Sequence, residues 1–168
     1  DGLSGNTMPS ATIAGDRIII GAGASKGDLK AAIRSNCCIE LASKDGKVAP
    51  EITWRAEKAT ASYASPLVHK GNAYFVNQSG VVTCLDIQTG KAAWEVPAIG
   101  SGILGSGLMA TAGGLLFYGD GTGAFIGADA KNGKPLWQFN TSQRWKAGPM
   151  TYTVDGQQYI AIAAGSTI

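Results

Sequence analysis

The stretch TGKAAWEV at residues 89–96 is matched at 132–139 by NGKPLWQF, which repeats the turn, the lysine and the tryptophan at the same spacing. A looser copy, SKDGKVAPEITW, precedes both. Aligned on the turn glycine, Gly46, Gly90 and Gly133 fall 44 and 43 residues apart. Trp54, Trp94 and Trp137 follow at 40 and 43, the first displaced because VAPEIT stands where the others have a two-residue link. Self-similarity at this period marks a repeat architecture, in which one supersecondary unit covers its apolar faces only by stacking on its neighbours.

The second unit divides into YASPLVHK, GNAYFVNQSG, VVTCLDIQTG and KAAWEVPAIG, four short β-type runs closed by glycine-bearing turns. The third, GSGLMATAG, GLLFYGDGTG, AFIGADAKNG and KPLWQFNTS, matches it in order and length. The first runs MPSATIAG, DRIIIGAG and CCIELASKDG, the last after an extra ASKGDLKAAIRSN that is expected to form a loop on one rim. KAGPMTYTVDG and QQYIAIAAG supply two strands of a fourth unit. Hydrophobic residues make up 45% of the 168, charged residues 15%, and 24 are glycine, a mixture too apolar for disorder and too turn-rich for a helical bundle.

The expectation is an all-β chain, a β-propeller segment of four-stranded antiparallel blades, roughly three and a half of them. The boundaries fall at 8–58 for blade 1 with an inserted loop at 24–36, 61–100 for blade 2, 102–142 for blade 3 and 143–165 for the half blade. Asp86 and Asp129 stand three residues ahead of the Thr-Gly and Asn-Gly pairs, where a carboxylate accepts turn N–H groups and glycine takes positive φ. Ala42 replaces that aspartate in the first unit. Each tryptophan is expected to lie as a plate against the adjoining blade.

A formal net charge of +2 with lysines and arginines scattered singly gives no basic stripe, which argues against nucleic-acid binding. No run of eighteen apolar residues is present, so no membrane-spanning helix is expected, and DGLSGNTMPS lacks the layout of a leader peptide. Cys37, Cys38 and Cys84 form neither a disulfide framework nor a zinc set.

LDIQTGKAAW with the preceding SPLVHKGNAYFVNQSG resembles the blade repeat of the pyrroloquinoline-quinone (PQQ) propellers, a repeat shared by dehydrogenases and non-enzymatic scaffolds. Residues 111–166, above all WKAGPMTY and QQYIAIAAGS, resemble the carboxy-terminal blades of PQQ-dependent alcohol and glucose dehydrogenases. That resemblance implies a periplasmic or secreted location and, in the dehydrogenases, an eight-bladed ring holding PQQ and calcium at an axial funnel. Those enzymes are several times longer, and their calcium ligands and catalytic aspartate lie in blades that this sequence does not contain, so no residue here is assigned a catalytic or metal-binding role.

Some residues carry chemistry of their own. In methanol-oxidising members of the family, neighbouring cysteines form a disulfide ring over the cofactor. Cys37 and Cys38 align here with Val81 and Val82 at the start of a strand, where neighbours point to opposite faces. A vicinal disulfide and a pair of small buried hydrophobes are both open. His69 has no second histidine to pair with. GAGASKG and GDGTG lack the lysine and hydroxyl ending of a phosphate loop, and Asp120, Asp129 and Asp155 sit in separate turns. Trp145 and Lys146 precede the inner strand of the last half blade. The resemblance implies an aromatic that stacks on the quinone and a cation near its oxygens; a channel plug beside an exposed lysine is the alternative.

Three functional readings follow. One is a non-catalytic scaffold or binding surface whose open edges are completed by a second chain, as a homodimer of about seven blades, or by the remaining blades of a larger protein. Another is the carboxy-terminal part of a quinoprotein dehydrogenase oxidising alcohols or sugars, with PQQ and calcium as its cofactors. The third, a four-bladed monomer closed by the amino terminus, has about fourteen recognisable strands for the sixteen it needs.

Overall fold

A computed structural model describes residues 8–23, 29–44, 46–61, 63–97 and 107–165. Its first sheet contains β1 (Thr12–Ala14), β2 (Arg17–Ile20), β3 (Cys37–Lys44) and β4 (Lys47–Arg55), with helix α1 (Leu29–Arg34) between β2 and β3. The second contains β5 (Leu67–His69), β6 (Asn72–Val76), β7 (Val82–Asp86) and β8 (Ala92–Val96). The third contains β9 (Met109–Ala110), β10 (Leu115–Gly119), β11 (Ala124–Asp129) and β12 (Pro135–Asn140). Strands β13 (Met150–Val154) and β14 (Gln157–Ala161) form a two-stranded sheet. Each four-stranded sheet is an antiparallel meander in sequence order, and β5 lies beside both β1 and β9, so successive sheets stack with their first strands together. The arrangement is the β-propeller of the repeat reading.

The glycine-bearing turns follow one plan. Asp86 accepts the N–H groups of Gln88 and Thr89 on Oδ1, and the Gly90 N–H closes on the Asp86 carbonyl at 2.8 Å. Asp129 accepts the Lys131 N–H at 2.7 Å, and the Gly133 N–H closes on the Asp129 carbonyl at 2.8 Å. Gly90 and Gly133 take φ of 69° and 74°, a region nearly closed to side-chain-bearing residues. The Thr89 hydroxyl and N–H hold the Asp86 carboxyl below its usual range. That stabilisation is therefore present at neutral pH and is lost as the pH falls through the folded value.

A register irregularity recurs at Cys38/Ile39, Cys84/Leu85 and Gly127/Ala128, and the residue just before it pairs with the tryptophan each time: Cys38 with Trp54, Cys84 with Trp94, Gly127 with Trp137. A bulge re-aims the strand that carries it. The indole then reaches the next sheet. Trp54, 8% exposed, donates from Nε1 to the Ile87 carbonyl at 2.8 Å, and a Cβ on Gly90 would stand 2.6 Å from its ring. Trp94 donates to the Ala130 carbonyl at 3.2 Å and lies over Gly133 in the same way. The indole of one sheet thus seats on the Asp-to-Gly turn of the following one. Gly46 has nothing within 4 Å of the corresponding position.

This contrast makes a prediction. Gly46→Ala meets only the left-handed backbone and is expected to cost about 1 kcal/mol. Gly90→Ala adds a collision with a packed indole and is expected to cost about 3 kcal/mol. Urea midpoints of the two variants measure the difference, and equal losses would contradict the docking.

Two expectations need correction. Trp137 does not lie against an adjoining blade: it is 52% exposed, stacked on Phe139 at 6.5 Å, because β13–β14 supplies the inner strand pair of a fourth sheet without the turn on which an indole seats. The insertion at 24–36 is not simply a loop. Residues 29–34 form α1, since LKAAIR is made largely of good helix formers. Its end is fixed by Asn36, whose Nδ2 donates to the Ala32 carbonyl at 2.8 Å, and by Ser35, whose hydroxyl donates to the Ala31 carbonyl at 2.8 Å. The amino-terminal part of the insertion, 24–28, lies outside the described residues.

Apolar clusters fill the three gaps between sheets. Ile19, Cys38 and Trp54 meet Phe75 and Leu85 in the first; Tyr74, Val82 and Cys84 meet Leu116, Ile126 and Ala128 in the second; Met109, Phe117, Phe125 and Trp145 form the third with Ile160 and Ile162 beside them.

Candidate functional site

Trp145 and Lys146 lie between the third sheet and the two-stranded one. Trp145 bridges to Ala164, the Lys146 N–H donates to the Ala163 carbonyl at 3.1 Å, and the Gly165 N–H donates to the Arg144 carbonyl at 2.8 Å. The Trp145 ring is 3% exposed, 5.6 Å from the Phe125 ring, and lies so close over Gly119 that a Cβ there would overlap it. Its Nε1 is buried without a hydrogen-bond partner among the described residues. Stacking on a planar quinone requires a free ring face, and the Trp145 ring is instead enclosed in the apolar cluster between the sheets. Lys146 is exposed. The two residues are adjacent in the chain, yet one belongs to the core and the other to the surface, so as placed they do not fit the quinone role that the resemblance implies.

Among the described residues no group of three His, Cys, Asp or Glu side chains comes together. Asp120 turns its carboxylate inward, with Oδ1 accepting the Thr122 N–H at 2.9 Å, the Thr122 hydroxyl at 2.8 Å and the Ala124 N–H at 2.8 Å. Asp129 is occupied by its own turn, and Asp155 sits at φ 49° in the β13–β14 turn.

The vicinal disulfide left open for Cys37 and Cys38 is not formed: both are free thiols, fully buried on β3. Their strand register differs from the alignment on Gly46. Cys38, facing Trp54, occupies the place of Cys84 facing Trp94, because the β3–β4 hairpin is longer than β7–β8. Burial raises the pKa of all three thiols, Cys84 up to about 12. The thiolate is the reactive form. All three cysteines are therefore expected to resist a thiol reagent at pH 8 in the native protein and to react together in denaturant, as absorbance after adding a chromogenic disulfide would measure. Rapid native labelling of any of them would contradict the packing.

His69 ends β5 beside a cavity of about 380 Å³ at the junction of the second and third sheets, lined also by Lys70, Tyr74, Asp129 and Lys131. Lys70 takes φ of 46° and donates from Nζ to the Ala112 carbonyl at 2.7 Å, tying the two sheets together. A second groove, about 340 Å³, runs along α1 and is lined by Lys30, Ile33, Arg34, Arg55, Ala56 and Glu57. Sequence reasoning missed it, because Lys30 and Arg34 were expected in a loop and Arg55 lies more than twenty residues further on.

The comparisons with known proteins agree with this architecture. Quinoprotein alcohol dehydrogenase PedE of Pseudomonas putida is 36% identical over 110 residues, 57% of this chain and 16% of that protein. The quinoprotein ethanol dehydrogenase of Pseudomonas aeruginosa is 36% identical over 110 residues, 57% of this chain and 17% of that protein. The chain thus spans about a sixth of the length of these curated relatives. The crystal structure of BamB from Moraxella catarrhalis superposes with a TM-score of 0.59 at 22% identity, over 88% of this chain and 40% of that one, a likeness of fold. The family profile described as outer membrane protein assembly factor BamB matches residues 3–139 and 79–168, and the chain accordingly belongs to that family of PQQ-like repeats.

Proposed function

We propose that this chain is a non-catalytic arc of a larger β-propeller, a rigid wall and binding surface whose ring is completed by further strands. The observation that carries this reading is Trp137. The indoles of Trp54 and Trp94 are seated on the turns of the next sheet, while the third, at the same register position, is left half in solvent beside an inner strand pair. The exposed stacked pairs Trp137–Phe139 and Tyr152–Tyr159, together with exposed Met150, are apolar surface that a completed ring covers. The strands required are the outer pair of the fourth sheet. A second copy of this chain would bring another inner pair, so completion by the remaining blades of a longer protein fits better than a two-chain ring of seven. An extracytoplasmic location belongs to the same proposal and is supported by the outer-membrane description of the family.

A second reading, the carboxy-terminal part of a quinoprotein dehydrogenase, is favoured by the 36% identity over 110 residues to quinoprotein alcohol dehydrogenases. The enclosed Trp145 ring speaks for a structural role of this arc within such an enzyme. The test is to add PQQ and calcium to the isolated chain and follow both artificial-dye reduction and tryptophan fluorescence. Neither is expected to change. Dye reduction by this chain alone would overturn the non-catalytic reading. Sedimentation across a range of concentrations tests the ring: a dimer that buries Trp137 would restore the two-chain closure.

A further inference from the structure

We infer that the partner covering Trp137 is a β-hairpin of defined turn chemistry, one that reads Asp-x-x-x-Gly; the inference rests on the reading of this chain as an arc of a larger ring. The two covered indoles set the rule. Trp54 donates from Nε1 to the carbonyl of Ile87, the residue after Asp86, and lies over Gly90, four residues after that aspartate. Trp94 donates to the carbonyl of Ala130, the residue after Asp129, and lies over Gly133, again four residues on. The aspartate shapes the turn by accepting its N–H groups, and the glycine takes the positive φ that the turn demands. The glycine also leaves room for the ring: a Cβ at Gly90 would stand 2.6 Å from Trp54, and one at Gly133 would stand 2.7 Å from Trp94.

The two-stranded sheet supplies a second, independent set of contacts. The residue whose carbonyl accepts the indole also spends its own N–H, Ile87 on the Gly71 carbonyl at 3.0 Å and Ala130 on the Gly114 carbonyl at 2.9 Å. Leu41 does the same to the Asp16 carbonyl at 2.8 Å, so in every four-stranded sheet the third strand is tied to the turn that joins the first two. The β13–β14 turn has the same form. Asp155 and Gly156 take φ of 49° and 76°, against 46° and 76° for Lys70 and Gly71, as a two-residue hairpin turn with both central residues left-handed requires. Among the described residues neither the Gly156 carbonyl nor Trp137 Nε1 has a hydrogen-bond partner. Strand β14 is paired on one side, by β13, whereas β2, β6 and β10 are paired on both. One donor, one acceptor and one strand edge therefore converge on a single occupant. Its first strand pairs with β14, the residue after its aspartate bonds to Gly156 and to Trp137, and its glycine comes to lie under the indole.

The experiment extends the full chain after Ile168, through a short glycine linker, with a second copy of residues 81–96 or of residues 124–140, each a hairpin that carries the Asp-x-x-x-Gly turn. Hydrogen exchange of the Trp137 indole N–H is followed by NMR. It is expected to be fast in the unextended chain and to slow about tenfold or more in both extended ones. Gly90→Val or Gly133→Val, made only in the appended copy, is expected to abolish that protection. Exchange that stays fast in both extended chains, or protection that survives the valine, would overturn the inference. Protection already present in the unextended chain would overturn it as well; its loss on removing residues 1–7 would name the amino terminus as the cover, and its loss on dilution a second copy. The reading of a non-catalytic arc fails instead on dye reduction by the unextended chain, which the exchange measurement does not touch.

Discussion

Trp54→Ala is expected to lower stability by about 4 kcal/mol, and Trp137→Ala by about 1 kcal/mol or less, although the two residues hold equivalent places in the repeat. Trp54 is buried between sheets, packs on the backbone of Gly90 and spends its N–H on the Ile87 carbonyl. Truncating it removes a large apolar plate, leaves a cavity that a stiff β-framework fills poorly, and orphans a carbonyl. Trp137 touches Phe139 face to face and Phe125 edge-on but has no turn beneath it, so its removal forfeits little buried area. Urea unfolding of the two variants measures both values. In a longer chain that supplies the outer strands, the cost of Trp137→Ala is expected to rise toward that of Trp54→Ala. Similar losses in this chain would mean that Trp137 is already covered.

The second large effect concerns Asn36, fully buried behind the insertion. Its Oδ1 accepts the N–H groups of Ala22 at 2.8 Å and Ala61 at 3.1 Å, and its Nδ2 donates to the carbonyls of Ala22 at 2.9 Å and Ala32 at 2.8 Å. One side chain therefore joins the end of β2, the end of α1 and the link into the second sheet. Asn36→Ala strands several buried backbone groups at once and is expected to cost about 4 kcal/mol, at about 1–3 kcal/mol for each strong loss. Hydrogen exchange at Ala22 and Ala61 is expected to accelerate more than exchange in the third sheet.

Asn36→Asp provides the sharper check, because it keeps the shape and the acceptor but removes both donor hydrogens. A buried carboxyl is held above its unfolded pKa of about 3.9, so the variant is expected to be least stable at neutral pH and to gain on the unmodified protein as pH falls toward about 4. A pH-independent difference between the two would show that the site is hydrated.

Much of this was legible in the sequence. The repeat of Gly46, Gly90 and Gly133 and the short β-type runs between glycine-bearing turns disclosed the four-stranded sheets, because local turn chemistry fixes a meander before any long-range contact forms. The aspartates of the second and third turns were legible for the same reason: Asp86 and Asp129 bond to groups within a few residues of themselves. The helix in the insertion was not, because six residues are too few to show a period and α1 is held by Asn36 and Arg55 from outside itself. Nor was the placement of Cys38, since alignment on a glycine cannot see a hairpin lengthened on both of its strands.

What the sequence alone determined is the unit: its strands, its turns and the tryptophan that each copy carries. Only the tertiary structure decided what each copy does. Trp54 became a seated plate, Trp137 an exposed one, and Trp145, open between a cofactor platform and a channel plug, a piece of the core over Gly119. The physical reason is that a repeat encodes interactions within a sheet, whereas burial depends on whether another sheet stands opposite, and that is a property of position along the arc rather than of the residues themselves.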